Sequence, residues 1–184
     1  MERKKLVTIA IIAIVIIMLV TSYNKLNTMD EKVDSSWAQV ENVLKRRADL
    51  IPNLVNTVKG YAKHEKEVLT SITEARSKFN SANSPGEYAD ANTELNNALT
   101  KLYAVVENYP ELKANENFLN LQDELSGTEN RIATERGRYN ESVKEYNTTI
   151  RRFPTNILAR LFGFEKREYF KISPEDSKAP DVNF

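Results

Sequence analysis

The residues Leu6 to Ser22, LVTIAIIAIVIIMLVTS, carry no charge and are dominated by Ile, Val and Leu. A helix needs about 20 apolar residues to cross a bilayer, with about 17 as the lower limit. Extension through Tyr23 and Asn24 reaches that length. A cleaved signal peptide is the competing reading. The run is longer than a typical signal core, and only Val20-x-Ser22 stands where an A-x-A site belongs, so an uncleaved anchor is expected. Arg3, Lys4 and Lys5 precede the run, while Lys25, Asp30, Glu31 and Lys32 follow it. The positive-inside bias then places the N-terminus in the cytoplasm and the rest of the chain outside it, after a single pass.

The whole chain of 184 residues suffices for one domain with a real core. Its 26 cations balance 26 anions. Without Met1 to Lys5 the remainder is slightly acidic, which argues against nucleic acid as a partner, since that needs a basic face. With no cysteine, disulfides, thiolate metal sites, cysteine nucleophiles and a lipoprotein anchor are excluded.

Beyond the anchor the pattern is helical and all-α. Trp37, Leu44, Ile51, Val58 and Ile72 share one seven-residue series, and Leu26, Val33, Val40, Leu54, Tyr61, Val68 and Ala75 the companion one, a coiled-coil-like seam. FNSANSPGEY then marks a loop. Ser84-Pro85-Gly86-Glu87 predicts a capping box at the head of the next helix, whose stripe runs from Tyr88 to Tyr109 before Pro110. The last long helix is expected over about 116–153, with Phe118, Leu125, Ile132, Tyr139, Tyr146 and Phe153 on its seam. Its companion series (Leu121, Thr128, Glu135, Ser142, Thr149) is polar, and Gly127 and Gly137 suggest close helix approach. A tail with Pro154, Pro174 and Pro180 contains one short apolar segment, ILARLFGF.

Pro52 divides two readings of the first helix. The heptad phase carries through it, yet an unbroken helix to Phe79 would reach about 80 Å beyond the bilayer at 1.5 Å per residue. Trp37, Val40 and Leu44 would then face no partner. A turn near Ala48–Pro52 with Asp49 as N-cap removes the mismatch. It gives an antiparallel four-helix bundle of long helices (25–48, 53–79, 84–109 and 116–153). The domain plan is a membrane anchor over 1–24, a bundle over 25–153 and a tail over 154–184. In that topology KRRADLIPN and NYPELKANEN share the membrane-distal tip, and ILARLFGF lies near the bilayer, closing the bundle or grazing the headgroups.

Tyr23-Asn24, Trp37, Arg46-Arg47-x-Asp49-Leu-Ile-Pro-Asn-Leu-Val55, Val58-Lys-Gly-Tyr61 and His64-Glu65, behind an N-terminal anchor, resemble the LemA family of bacterial membrane proteins. Glu129-Asn-Arg131-Ile, Arg136, Tyr139-Asn140, Tyr146-Asn147, Phe153-Pro154 and Phe162-Gly-Phe164 continue the resemblance over nearly the whole chain. It implies a helical bundle on a single-pass anchor in the bacterial inner membrane, and no general enzymatic activity.

No catalytic constellation is visible in the sequence: there is no G-x-S-x-G and no HExxH. His64 is the chain's one histidine, too few for a carboxylate-histidine two-metal bundle, and reads as a surface residue. No cofactor is expected. Arg46, Arg47, Asp49, Pro52 and Asn53 form the candidate corner. Arg47, Glu65 and Glu135 fall at seam positions, and Glu65, Glu129, Arg131 and Glu135 make up a polar seam. Buried charges must pair, so one reading is an internal ion-pair network that fixes helix register. The other has Arg46, Arg47 and Asp49 gripping a carboxylate at an exposed tip. Asn140 and Asn147 begin sequons that read as accidental. The expected function is an envelope interaction or scaffold module, bound to the bilayer through Leu6–Ser22 and to a protein partner. A self-assembling coiled coil (a homo-oligomer) is the alternative, and a metal sensor or enzyme on the polar seam a third.

Overall fold

The computed structural model describes residues 2–171; Pro174 and Pro180 of the expected tail lie outside them. Among the described residues there are six helices and no strand: α1 (Glu2–Tyr61), α2 (Lys66–Ser81), α3 (Pro85–Val106), α4 (Pro110–Lys113), α5 (Glu116–Thr149) and α6 (Thr155–Phe162). The chain divides into two compact units. Of the described residues, one comprises 2–38 and Arg138–Arg167, the other Gln39–Gly137 and 168–171.

The expected corner at Ala48–Pro52 is absent: α1 runs through Pro52. A proline inside a helix leaves the carbonyl four residues earlier without its N–H donor. Here that carbonyl belongs to Ala48, and Arg76 Nε of α2 donates to it at 3.0 Å. A side chain from another helix thus replaces the missing bond, so the chain need not turn. The turn comes later, at Ala62–Glu65, two residues after Gly60, the first glycine in the sequence. The expected helix over 53–79 is therefore split between the end of α1 and α2.

The unit containing Gln39–Gly137 has one continuous core. The end of α1 contributes Ile51, Leu54, Val55 and Val58; α2 adds Leu69, Ile72 and Ala75; α3 adds Leu95, Leu99, Leu102 and Val106; and α5 adds Phe118 and Leu125. Fully burying each large apolar side chain contributes about 1.5–3 kcal/mol, far more than helix propensity supplies, so the seam sets the packing. At the head of α3, Ser84 Oγ accepts from Glu87 N–H at 3.2 Å and Pro85 takes the first helical position. Glu87 reaches back one residue further than a capping box requires, accepting from Asn83 N–H at 2.7 Å.

In the other unit Leu26 and Val33 of α1 are buried, as are Tyr139, Val143 and Tyr146 of α5. Trp37 is half-buried and its ring lies 5.2 Å from that of Tyr139. Val40 and Leu44, on the α1 portion of the Gln39–Gly137 unit, are fully buried. The length argument against an unbroken α1 matched it only to α3; α5 supplies the surface it left out. Ser36 and Ser142 share a hydroxyl hydrogen bond of 3.1 Å, so the polar companion series of α5 does face inward here.

Two seam expectations on α5 fail. Phe153 is 81% exposed, because α5 stops at Thr149 and the register ends with it. A β-carbon on Gly127 or Gly137 would meet nothing within 4 Å, so neither glycine marks a close helix approach. After α6, Gly163 closes the helix at φ +75°, a left-handed conformation suited to glycine. The chain then returns along its own unit. Asn147 accepts from Arg167 N–H and donates to Arg167 C=O, both at 2.9 Å. The Arg167 guanidinium reaches Asp30 at 2.8 Å and Asp34 at 3.1 Å. With its amide fully engaged and buried, Asn147 is closed to glycosylation in the folded chain. Burial, with Asp30 adding and Arg167 opposing, pushes the Tyr146 hydroxyl up to about 12.

Candidate functional site

The polar residues singled out in the sequence separate into a buried cluster, a loop pair and exposed positions. Arg47 is buried on the inner face of α1, on the heptad series that also carries Val40 and Leu54. Its Nη1 donates to Asn92 Oδ1 at 2.7 Å and to Glu129, and its Nη2 donates to Asn96 Oδ1 at 2.5 Å. Asn92 and Asn96 lie four residues apart on α3 and so share one face. Burial lowers the Arg47 pKa, while Glu129 and Tyr103 oppose that shift. A guanidinium stays charged regardless, so its fork is held by one carboxylate and two amides from two other helices. Arg47 Nε is buried and has no hydrogen-bond partner among the described residues.

Such a cluster ties the rotation and sliding of three helices together, as polar seam residues do in coiled coils. Moving any of them by one turn would strand a buried charge. The other residues of the candidate corner do not join it. Arg46 is exposed and approaches Glu124 at 3.8 Å. Asp49 and Asn53 are exposed, and Pro52 is half-buried.

Within the polar seam, Glu129 meets Arg47. Glu65 accepts from the Tyr109 hydroxyl at 3.0 Å, and Asn115 Nδ2 donates to the Tyr61 hydroxyl at 3.0 Å. The bond to Glu65 raises the Tyr109 pKa. These contacts join the 62–65 turn to the α3–α5 connection, so it is this turn, and not KRRADLIPN, that shares an end with NYPELKANEN. Arg131 is exposed and Glu135 half-buried. Among the described residues no group of three or more His, Asp or Glu side chains is placed to hold a metal ion. His64 is exposed in the turn.

A cleft of about 480 Å3 opens beside the same turn. Lys59, Lys63 and Lys66 line it together with Leu69, Thr70, Thr73 and one carboxylate, Glu74. The sequence reading missed these lysines, and also Asn92, Asn96 and Arg76. The i, i+4 pair Asn92 and Asn96 within the apolar stripe of α3 was the available signal.

The sequence model of the LemA family matches residues 36–184, the span that holds the Arg47 cluster and both loops. The chain belongs to the LemA family. Relatives are distant but cover most of the chain. Magnetosome protein MamQ 2 of Paramagnetospirillum magneticum is 28% identical over 197 aligned residues, covering 92% of this chain and 72% of that protein. Magnetosome protein MamQ of Magnetospirillum gryphiswaldense is 27% identical over 182, covering 85% and 67%. Protein LemA of Metamycoplasma hominis is 28% identical over 154, covering 82% and 69%.

In this LemA chain the apolar run precedes the matched residues, so the candidate membrane span rests on its own side chains. Leu6 to Val20 contribute a row of exposed large apolar residues, and none of the apolar window is buried in the fold. A core helix would be covered. The hydroxyls of Thr8 and Thr21 bond back to the Lys4 and Ile17 carbonyls at 3.0 and 2.9 Å, which spares them an unpaired polar group in lipid.

Proposed function

We propose that the protein is a single-pass, membrane-anchored helical-bundle module of the bacterial envelope that binds and scaffolds a protein partner at the inner membrane. One observation carries this reading: α1 is both the bare apolar helix and, further along, a wall of the packed core. Anchoring and folding are built into a single element, which suits a tethered module. The segment 39–61, α2, α3 and the first half of α5 all contribute to that core, and their short connections favour antiparallel neighbours, which supports a four-helix arrangement. Arg3, Lys4 and Lys5 support a cytoplasmic N-terminus. The reading assigns no catalytic step.

The partner's chemistry follows from the exposed groups. Arg47 is committed inside the fold, so the grip on carboxylates falls to Lys59, Lys63 and Lys66, whose three charges outnumber the single Glu74 of a cleft that Leu69 also lines. An acidic segment with one apolar side chain complements it. Reversing the three lysines to Glu should abolish site-specific photocrosslinks from the turn to a protein in native membranes, while Arg46→Glu with Asp49→Lys should leave them. Unchanged crosslinks in a lysine-reversed protein of normal melting temperature would refute the assignment. Reporter fusions at both termini test the orientation.

A further inference from the structure

We infer that α6 and Phe153 form a second, peripheral seat on the bilayer, one that takes anionic phospholipid headgroups; the inference rests on α1 spanning the membrane. The inner face of α6 is buried through Leu158 and Ala159. Its outer face shows Ile157 and Leu161, four residues apart, at 58% and 73% exposure, with Phe153 at 81% just before it. Large apolar side chains grouped this way on a soluble surface mark a binding face. The position of the face names its occupant. The Tyr23 ring lies 4.9 Å from that of Phe162 and 5.8 Å from that of Phe164, and Tyr23 stands two residues before Lys25, the first charge after the apolar run. Aromatic rings cluster at that depth of a membrane.

The end of α6 is therefore beside the point where α1 leaves the hydrocarbon. Arg151, Arg152 and Arg160 are exposed around the patch. A short helix with an apolar outer face and a cationic rim, held at headgroup level, is suited to lie in the interface. Each cation near an anionic surface adds attraction that phosphatidylcholine alone does not provide.

The absence of native cysteine makes the test direct. Full-length protein with an environment-sensitive fluorophore on Leu161→Cys, Ile14→Cys or Lys144→Cys is reconstituted into vesicles with brominated acyl chains. The vesicles are made of phosphatidylcholine, with or without phosphatidylglycerol. The expected result is quenching and a blue shift at Leu161→Cys with phosphatidylglycerol. Its loss is expected when Arg151, Arg152 and Arg160 are replaced by Gln. Ile14→Cys should be quenched in both lipids and Lys144→Cys in neither. A water-like Leu161 probe beside a quenched Ile14 probe overturns the inference and leaves the span intact. An unquenched Ile14 probe overturns the span and the inference with it. Equal Leu161 quenching in both lipids overturns the anionic assignment.

Discussion

Arg47 shows what a single side chain fixes in this fold. Its guanidinium fork meets Asn92, Asn96 and Glu129 at once, and a lysine ammonium cannot reproduce that planar geometry. Arg47→Lys should therefore destabilise the protein by about 1–3 kcal/mol, the range for stranding buried hydrogen-bonding groups. Glu129→Gln should cost less, because Glu129 is part-exposed and water reaches it. Urea unfolding of the two variants checks the order; a wild-type midpoint for Arg47→Lys would show that the fork is idle. Tyr146 gives a prediction in pH. Its folded pKa of about 12 lies above the ordinary tyrosine value of about 10. The folded state thus holds this proton more tightly than the unfolded chain does. The associated stability is complete below about pH 10 and is lost as pH rises towards 12. Tyr146→Phe should flatten the fall in stability across that window, measured as unfolding midpoints against pH. An unchanged slope would assign the alkaline loss to other groups.

At the scale of elements, the seams were legible and the breaks were not. The heptad series named Leu26, Val33, Val40, Leu54 and Arg47 as inward-facing, and all five are buried, because a helical period follows from sequence spacing alone; Tyr61 of the same series is 41% exposed, since α1 ends there. Whether Pro52 ends a helix depends on a donor from elsewhere in the chain. Arg76 supplies it from 28 residues away, a contact that no local pattern reveals. The end of α5 at Thr149 and the docking of Arg167 on Asn147 were missed for the same reason. Pro52 of the LIPNLV motif therefore frees the Ala48 carbonyl as an acceptor for a neighbouring helix. A double-mutant cycle tests this. Arg76→Met should cost about 1–2 kcal/mol in the parent protein, by leaving the Ala48 carbonyl unpaired. It should cost much less once Pro52→Ala has restored the helical N–H to that carbonyl. Strict additivity would mean that Arg76 and Pro52 act independently.

For the molecule as a whole, the question is whether anchor and fold depend on each other. The side chains from Leu6 to Val20 are exposed, whereas Tyr23 already touches the rings of α6. A cut after Ser22 thus removes surface that contributes nothing to the folded core. The fragment 23–184 should be helical and soluble without detergent, and should melt cooperatively at the temperature of the full chain in micelles. It should also be a monomer in light scattering at high concentration, because the seam residues Leu26, Val33 and Val40 of α1 and Leu125, Ile132 and Tyr139 of α5 are already buried within one chain. A fragment that melts markedly lower would show that the membrane segment supports the fold. A stable, concentration-independent oligomer would favour the self-assembling reading over the tethered module, since the surfaces offered to a partner would then already be occupied by a second copy.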